Sequence, residues 1–61
     1  MSRRYFYLAR TESGEQHEFD VVENDPYTAN VQAKLEVERW LREVGEPVER
    51  LAEFDLTHST P

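Results

Sequence analysis

The segment from residue 26 to residue 44 constrains this chain most, because strong helix-boundary signals stand at both of its ends. Asp25 can accept hydrogen bonds from the free N–H groups of a first helical turn, and Pro26 fits the first helical position. Gly45 can take the left-handed conformation just past a helix end, and Pro47 prevents the helix from continuing. The sequence therefore predicts one helix over residues 26–44, with only short segments on either side.

The flanking segments have the features of short strands. Aromatic and β-branched residues dominate two runs before the helix, and a polar loop containing Gly14 joins them, which favours an antiparallel hairpin. A third run follows the helix. The predicted strands are residues 4–10, 17–23 and 48–56, and residues 57–61 are predicted to be a loose tail. This order predicts a single α+β domain over residues 1–61, with a ββαβ three-stranded antiparallel sheet and one helix packed on one face.

The apolar residues of the predicted helix lie on one side of it. At about 100° per residue they fall within an arc of about 120°: Ala29, Ala33, Val37, Trp40, Leu41 and Val44. Thr28 is an alternative N-cap, so the sequence defines the first residue of the helix only to within a few positions. Alternation along the strands predicts the sheet side of the core as Phe6, Leu8, Phe19, Val21, Ala52, Phe54 and Leu56. Trp40 is the largest member, and its removal is expected to cost about 3–5 kcal/mol.

The other face of the predicted sheet is acidic. It is expected to carry Tyr5, Tyr7, Glu18, Asp20, Glu49, Leu51, Glu53 and Asp55. Same-face residues repeat every ~6.6–6.8 Å along a strand, which is near the spacing of successive phosphates in a nucleic acid. Tyrosine is enriched at interfaces because it combines contact area with a polar tip. The face could therefore meet an arginine-rich surface that normally holds DNA or RNA, and the alternative is a solvated sheet face.

The charge balance favours a protein partner over nucleic acid. Thirteen acidic residues stand against seven basic ones, so the formal net charge is −6. Binding to a phosphate backbone needs a basic footprint, whereas an acidic chain suits the basic surface of another protein. An acid excess that only aids solubility is the simpler alternative. Direct binding of single-stranded nucleic acid, with Tyr5, Phe6 and Tyr7 as a stacking platform, is the hypothesis that this charge disfavours most.

A second apolar row lies on the side of the helix opposite the core stripe. Tyr27, Val31 and Leu35 follow each other at intervals of four residues. Contiguous exposed apolar residues often mark an interface, whereas single ones need no explanation. The row predicts a possible homodimer, which would add stability to a chain too short for a large core. The alternative is that these three residues are simply tolerated in solvent.

Several classes of function lack their chemistry in this sequence. The chain has no cysteine, and His17 and His58 are too few and too far apart to suggest a metal site. Gly14 and Gly45 are the only glycines, so there is no phosphate-binding glycine loop. No apolar run reaches the length of a membrane span. We therefore expect a cytoplasmic binding protein with no catalytic residues and no cofactor.

Two stretches resemble a known family. Thr11-Glu12-Ser13-Gly14-Glu15 followed by Phe19-Asp20-Val21, and the acidic helix ahead of Trp40, are similar to small phage-encoded inhibitors of bacterial RNA polymerase. Those proteins share the ββαβ fold and an acidic surface, and they dock on the jaw of the largest polymerase subunit. The resemblance implies an inhibitor of RNA polymerase, with Glu36, Glu38, Glu43 and Arg50 as partner-binding residues. Those proteins use arginines on the last strand, where this chain offers only Arg50.

Overall fold

The computed structural model describes residues 1–61 and contains three strands and one long helix. In chain order the elements are β1 Arg3–Thr11, β2 Gln16–Glu23, α1 Pro26–Val44, a 3₁₀ turn Val48–Arg50 and β3 Leu51–Thr60. β1 is the central strand, and both β2 and β3 pair with it in antiparallel orientation. The predicted α+β fold with the order ββαβ is confirmed.

Both ends of α1 lie where the sequence predicts them, because the capping groups act as expected. Asp25 Oδ1 accepts a hydrogen bond from the backbone N–H of Thr28 at 2.9 Å, so Asp25 is the N-cap. Gly45 has a φ of 75°, which a residue without Cβ adopts at little cost. The N–H of Glu46 then donates to the carbonyl of Leu41 at 2.9 Å and closes the last turn.

The core lies between α1 and the sheet face turned toward it. Its apolar members form two adjacent clusters: Tyr5, Tyr7, Ala29 and Ala33 in one, and Ala9, Val37, Trp40 and Leu41 in the other. Phe19 and Phe54 pack against both clusters from the two outer strands. The predicted apolar stripe of the helix is confirmed, with Val44 partly buried at its end.

The two faces of β1 are the reverse of those predicted. Tyr5 and Tyr7 face the helix and are each 4% exposed, whereas Phe6 and Leu8 are half-buried on the other side. Residues 5–9 are all apolar or aromatic, so their pattern does not alternate and cannot define the faces. The charged Arg10 shares the face of Phe6 and Leu8, and burying its guanidinium group without a partner would be costly. The prediction that Phe6 and Leu8 belong to the core is wrong.

β3 begins and ends later than predicted. Residues 48–50 form the 3₁₀ turn, and residues 57–60, predicted as tail, continue the strand beside β1. A shift in register at the start of β3 places Leu51 against the core in the position predicted for Ala52, which is exposed. Leu56 was also predicted in the core but remains 49% exposed, because α1 lies mainly over β2 and β1.

Candidate protein-binding face

The sheet face turned away from α1, here called the open face, carries a central apolar strip between charged outer strands. Cross-strand pairing determines which side chains share this face. They are Gln16, Glu18, Asp20 and Val22 on β2, Arg4, Phe6, Leu8 and Arg10 on β1, and Glu53, Asp55, His58 and Thr60 on β3. The predicted positions of Glu18, Asp20, Glu53 and Asp55 on one face are confirmed.

Leu8 lies in the middle of the open face between two carboxylates. The register places Glu18 of β2 on one side of Leu8 and Asp55 of β3 on the other. Neither carboxylate forms an ion pair within the chain, and the hydrogen-bond partner of Glu18 is Gln16 Nε2 at 3.5 Å. Two interstrand spacings separate their backbones by about 10 Å. They are the free anionic groups of the open face.

Arginines of β1 neutralise the other two carboxylates of the open face. Arg4 Nη1 lies 2.5 Å from Asp20 Oδ2, and Arg10 Nη2 lies 2.9 Å from Glu53 Oε1. All four side chains are substantially exposed, and ion pairs of this kind each contribute only about 0.2–1 kcal/mol. Because Arg4 and Arg10 pair with Asp20 and Glu53, neither arginine forms an ion pair with the central carboxylates Glu18 and Asp55.

Phe6 and His58 form an aromatic pair next to the cross-strand row of Glu18, Leu8 and Asp55. Their ring centroids are 4.2 Å apart with an interplanar angle of 8°. A register shift after Leu56 inserts Thr57 as an extra residue, whose Oγ1 donates to the Phe6 carbonyl at 3.1 Å. This bulge brings His58 opposite Phe6. The pair borders an open depression of about 490 Å³, whose lining includes Leu8, Glu18 and Asp20.

The helix carboxylates that the phage-protein resemblance implies lie away from the open face. Glu36 Oε2 is 2.8 Å from His17 Nε2 on β2, and Arg39 pairs with both Glu36 and Glu43. The hydrogen bond from Arg39 is the main reason that the pKa of Glu36 lies below its ordinary value; partial burial opposes this effect, and His17 reinforces it. Glu38 is exposed and makes no ion pair. Glu36 and Glu43 are thus already engaged within the chain.

His17 joins β2 to α1 by packing as well as by its hydrogen bond. Its ring stacks between Phe19 and Trp40, with centroid distances of 5.1 and 5.3 Å. The Nε2 atom on the same ring contacts Glu36. This arrangement gives Glu36 a structural role in joining β2 to α1.

The predicted partner-binding residues do not form one surface. Glu18, Asp20 and Glu53 share the open face, Glu36, Glu38 and Glu43 lie on α1, and Arg50 lies in the 3₁₀ turn, 3.5 Å from Glu12. Tyr5 and Tyr7 are buried under α1, so their prediction as surface anchors is wrong. The same burial removes two of the three rings of the predicted stacking platform.

Sequence reasoning missed Phe6 and His58 as members of the open face. The alternation of Arg4 and Arg10 with Phe6 between them would have indicated the exposed side of β1. No local signal indicates the place of His58, because it depends on the bulge at Thr57. The aromatic component of the face is therefore Phe6 with His58.

Comparison with known proteins identifies no relative of this chain. The chain matches no protein-family model, no curated protein and no solved structure. No helix in it is both long and apolar enough to cross a membrane. The residues of the chain itself are therefore the basis for inferring its function.

Proposed function

We propose that this chain is a small protein-binding module whose open face docks on a basic surface of a nucleic-acid-handling enzyme, as an inhibitor or adaptor. The observation that carries the proposal is the pair of unpaired carboxylates, Glu18 and Asp55, on either side of Leu8. Bacterial RNA polymerase is the first candidate partner, on the basis of the resemblance to phage inhibitors.

The residues at the centre of the open face can bind arginine side chains of a partner. An arginine can lay its aliphatic stem along Leu8 while its guanidinium group forms paired hydrogen bonds with Glu18 or Asp55. Guanidinium groups also stack on flat aromatic surfaces, which the Phe6–His58 pair offers beside this row. Carboxylates on both sides of the strip allow two cationic groups to bind next to each other.

The charge of the whole chain supports the same type of partner. A net charge of −6 attracts a basic surface at long range and accelerates encounter, and this attraction weakens as salt is added. A nucleic acid would be repelled by that charge and would find on the open face only Phe6 and His58 for stacking. The direct nucleic-acid hypothesis is therefore not retained.

The test uses two variants with equal changes in net charge. Glu18→Gln/Asp55→Asn removes the two free carboxylates of the open face. Glu15→Gln/Glu49→Gln removes two exposed carboxylates from the hairpin loop and the 3₁₀ turn. Each variant and the wild type are used as bait in a bacterial lysate at about 0.05 M and 0.5 M salt, between which the screening length shortens severalfold. Binding to purified RNA polymerase is then measured by biolayer interferometry.

We expect the wild type and the control variant to capture the same proteins at low salt. The open-face variant should not capture these proteins. A charged hydrogen bond contributes about 1.5–3 kcal/mol, so losing both carboxylates should weaken binding roughly 100-fold or more. Equal capture by the two variants would contradict docking through the open face. Capture that depends on the open face but does not include RNA polymerase would retain the docking mode and exclude the polymerase.

A further inference from the structure

The outward side of α1, opposite the core stripe, is an apolar surface with no cover within the chain. Tyr27, Val31 and Leu35 are 71%, 43% and 54% exposed and follow each other at intervals of one helical turn. At about 100° per residue, Glu38 and Arg42 continue the same stripe toward the C-terminal end. The stripe is therefore apolar in its first half and charged in its second half.

The charged residues of α1 divide into two groups. Glu36, Arg39 and Glu43 are paired with one another along the flank near β2. Lys34, Glu38 and Arg42 form no ion pair and lie on or beside the outward stripe. The cations and the anion that lack partners thus surround the exposed apolar row.

We propose that a second copy of this chain packs antiparallel against the outward side of α1, with Leu35 at the two-fold axis. Leu35 is the midpoint of Pro26–Val44, so two helices centred there overlap along their full length. In this register Tyr27 faces Arg42 of the second copy, where ring and guanidinium can stack. Lys34 lies within reach of Glu38 of the second copy, and symmetry repeats each of these contacts.

A second copy suits this surface because the stripe is complementary to itself in reverse direction. The apolar first half of the stripe on one copy contacts the long side chains in the charged second half of the stripe on the other copy. Each charged residue that is unpaired within one copy then lies near an opposite charge or an aromatic ring of the other. Antiparallel helices also oppose their dipoles favourably. One helix pair buries an area near the lower limit of specific interfaces, so the dimer should be weak and should depend on concentration.

Sedimentation velocity tests the charge pairing. At about 0.15 M salt, where the screening length is about 8 Å, the wild type should shift from monomer toward dimer as its concentration rises from roughly 50 µM to 1 mM. Lys34→Glu and Glu38→Lys alone should each weaken the dimer about three- to tenfold, since two symmetry-related pairs become repulsive. The double exchange Lys34→Glu/Glu38→Lys should restore it. A wild type that is monomeric throughout, or a double variant as weak as the single ones, would overturn the proposal.

A cysteine cross-link tests the position of the axis. The chain has no cysteine, so a single one can form only an intermolecular disulfide. Leu35→Cys should cross-link rapidly under mild oxidation, because the axis brings the two positions together. Val48→Cys places an equally accessible thiol, 59% exposed at Val48, outside the proposed interface and should cross-link slowly. Equal cross-linking rates for the two variants would refute the axis at Leu35.

Discussion

Replacing Tyr7 with alanine tests the orientation of β1, on which the composition of the open face depends. The Tyr7 side chain is 4% exposed, and its ring stacks with Phe19 and Phe54 at centroid distances of 5.6 Å on each side. Truncation of a buried aromatic residue costs about 3–5 kcal/mol, because the transfer free energy is lost and a cavity remains. We expect Tyr7→Ala to cost this amount.

That cost is comparable with the whole stability of a chain this small. At about 0.05–0.15 kcal/mol per residue, 61 residues give a free energy of unfolding of roughly 3–9 kcal/mol. Only nine residues are buried, so no other part of the core can replace the contacts of Tyr7. The Tyr7→Ala variant should therefore lose a large fraction of its free energy of unfolding at 25 °C, and all of it if the wild type lies at the lower end of this range.

The adjacent residue provides the matched control. Phe6 is similar in size but half-buried on the open face, so Phe6→Ala should cost only about 1 kcal/mol, roughly half the value for full burial. Urea unfolding, followed by far-UV circular dichroism and by Trp40 fluorescence, gives the cost of Phe6→Ala and either the cost of Tyr7→Ala or, if that variant is unfolded without urea, a lower limit for it. If Phe6→Ala costs as much as Tyr7→Ala, or more, the orientation of β1 is wrong and the proposed docking face loses its apolar centre.

The remaining predictions concern two titrating groups and one helix cap. Burial, with a smaller effect of Tyr5, raises the pKa of Tyr7 above 10.0. The folded state then favours the neutral phenol, so the free energy of unfolding should fall as pH rises past about 10. Tyr7→Phe should reduce this loss in urea titrations. The hydrogen bond from Arg39 lowers the pKa of Glu36 below 4.5, so its stabilisation is present above about pH 4.5 and is lost as pH falls further. Glu36→Gln should accordingly show a smaller loss of stability than the wild type between about pH 5 and 2. Gly45→Ala should cost about 1 kcal/mol in urea unfolding, because φ is 75° there, and Gly45→Asn should cost less.

The helix was predictable because its signals are local. Asp25 and Gly45 act within a few residues of the ends that they determine, and the period of the apolar residues follows from the geometry of a single helix. The same holds for the exposure of Val31 and Leu35, which requires only that the opposite side of α1 pack on the sheet. The ends of the helix and the division of its sides into buried and exposed depend on one element alone, and both were predicted correctly.

The faces of β1 required information from other elements. Tyr5 and Tyr7 fit beneath α1 because Ala29 and Ala33 leave space for their rings. Alternation within β1 does not show this, since apolar residues occupy both faces. The charges of Arg4 and Arg10 were the local signals that distinguished the two faces.

The end of β3 was missed for a related reason. Residues 57–60 have little apolar character, so their sequence alone favours a tail. They form a strand because β1 is nine residues long and central, and the backbone groups that its first half points away from β2 need a partner. Length matching between neighbouring strands, and not side-chain pattern, extends β3 and brings His58 to the open face.

The two proposed interfaces are compatible, because they lie on opposite sides of the molecule. The open face is the side of the sheet turned away from α1, and the Leu35 axis lies on the side of α1 turned away from the sheet. A dimer through α1 would therefore hold its two open faces outward in opposite directions. Such a dimer cannot place both faces on one flat partner surface, so it would join two partner molecules. Leu35→Glu, which puts two like charges at the axis, should abolish that bridging while it leaves the affinity of each open face unchanged.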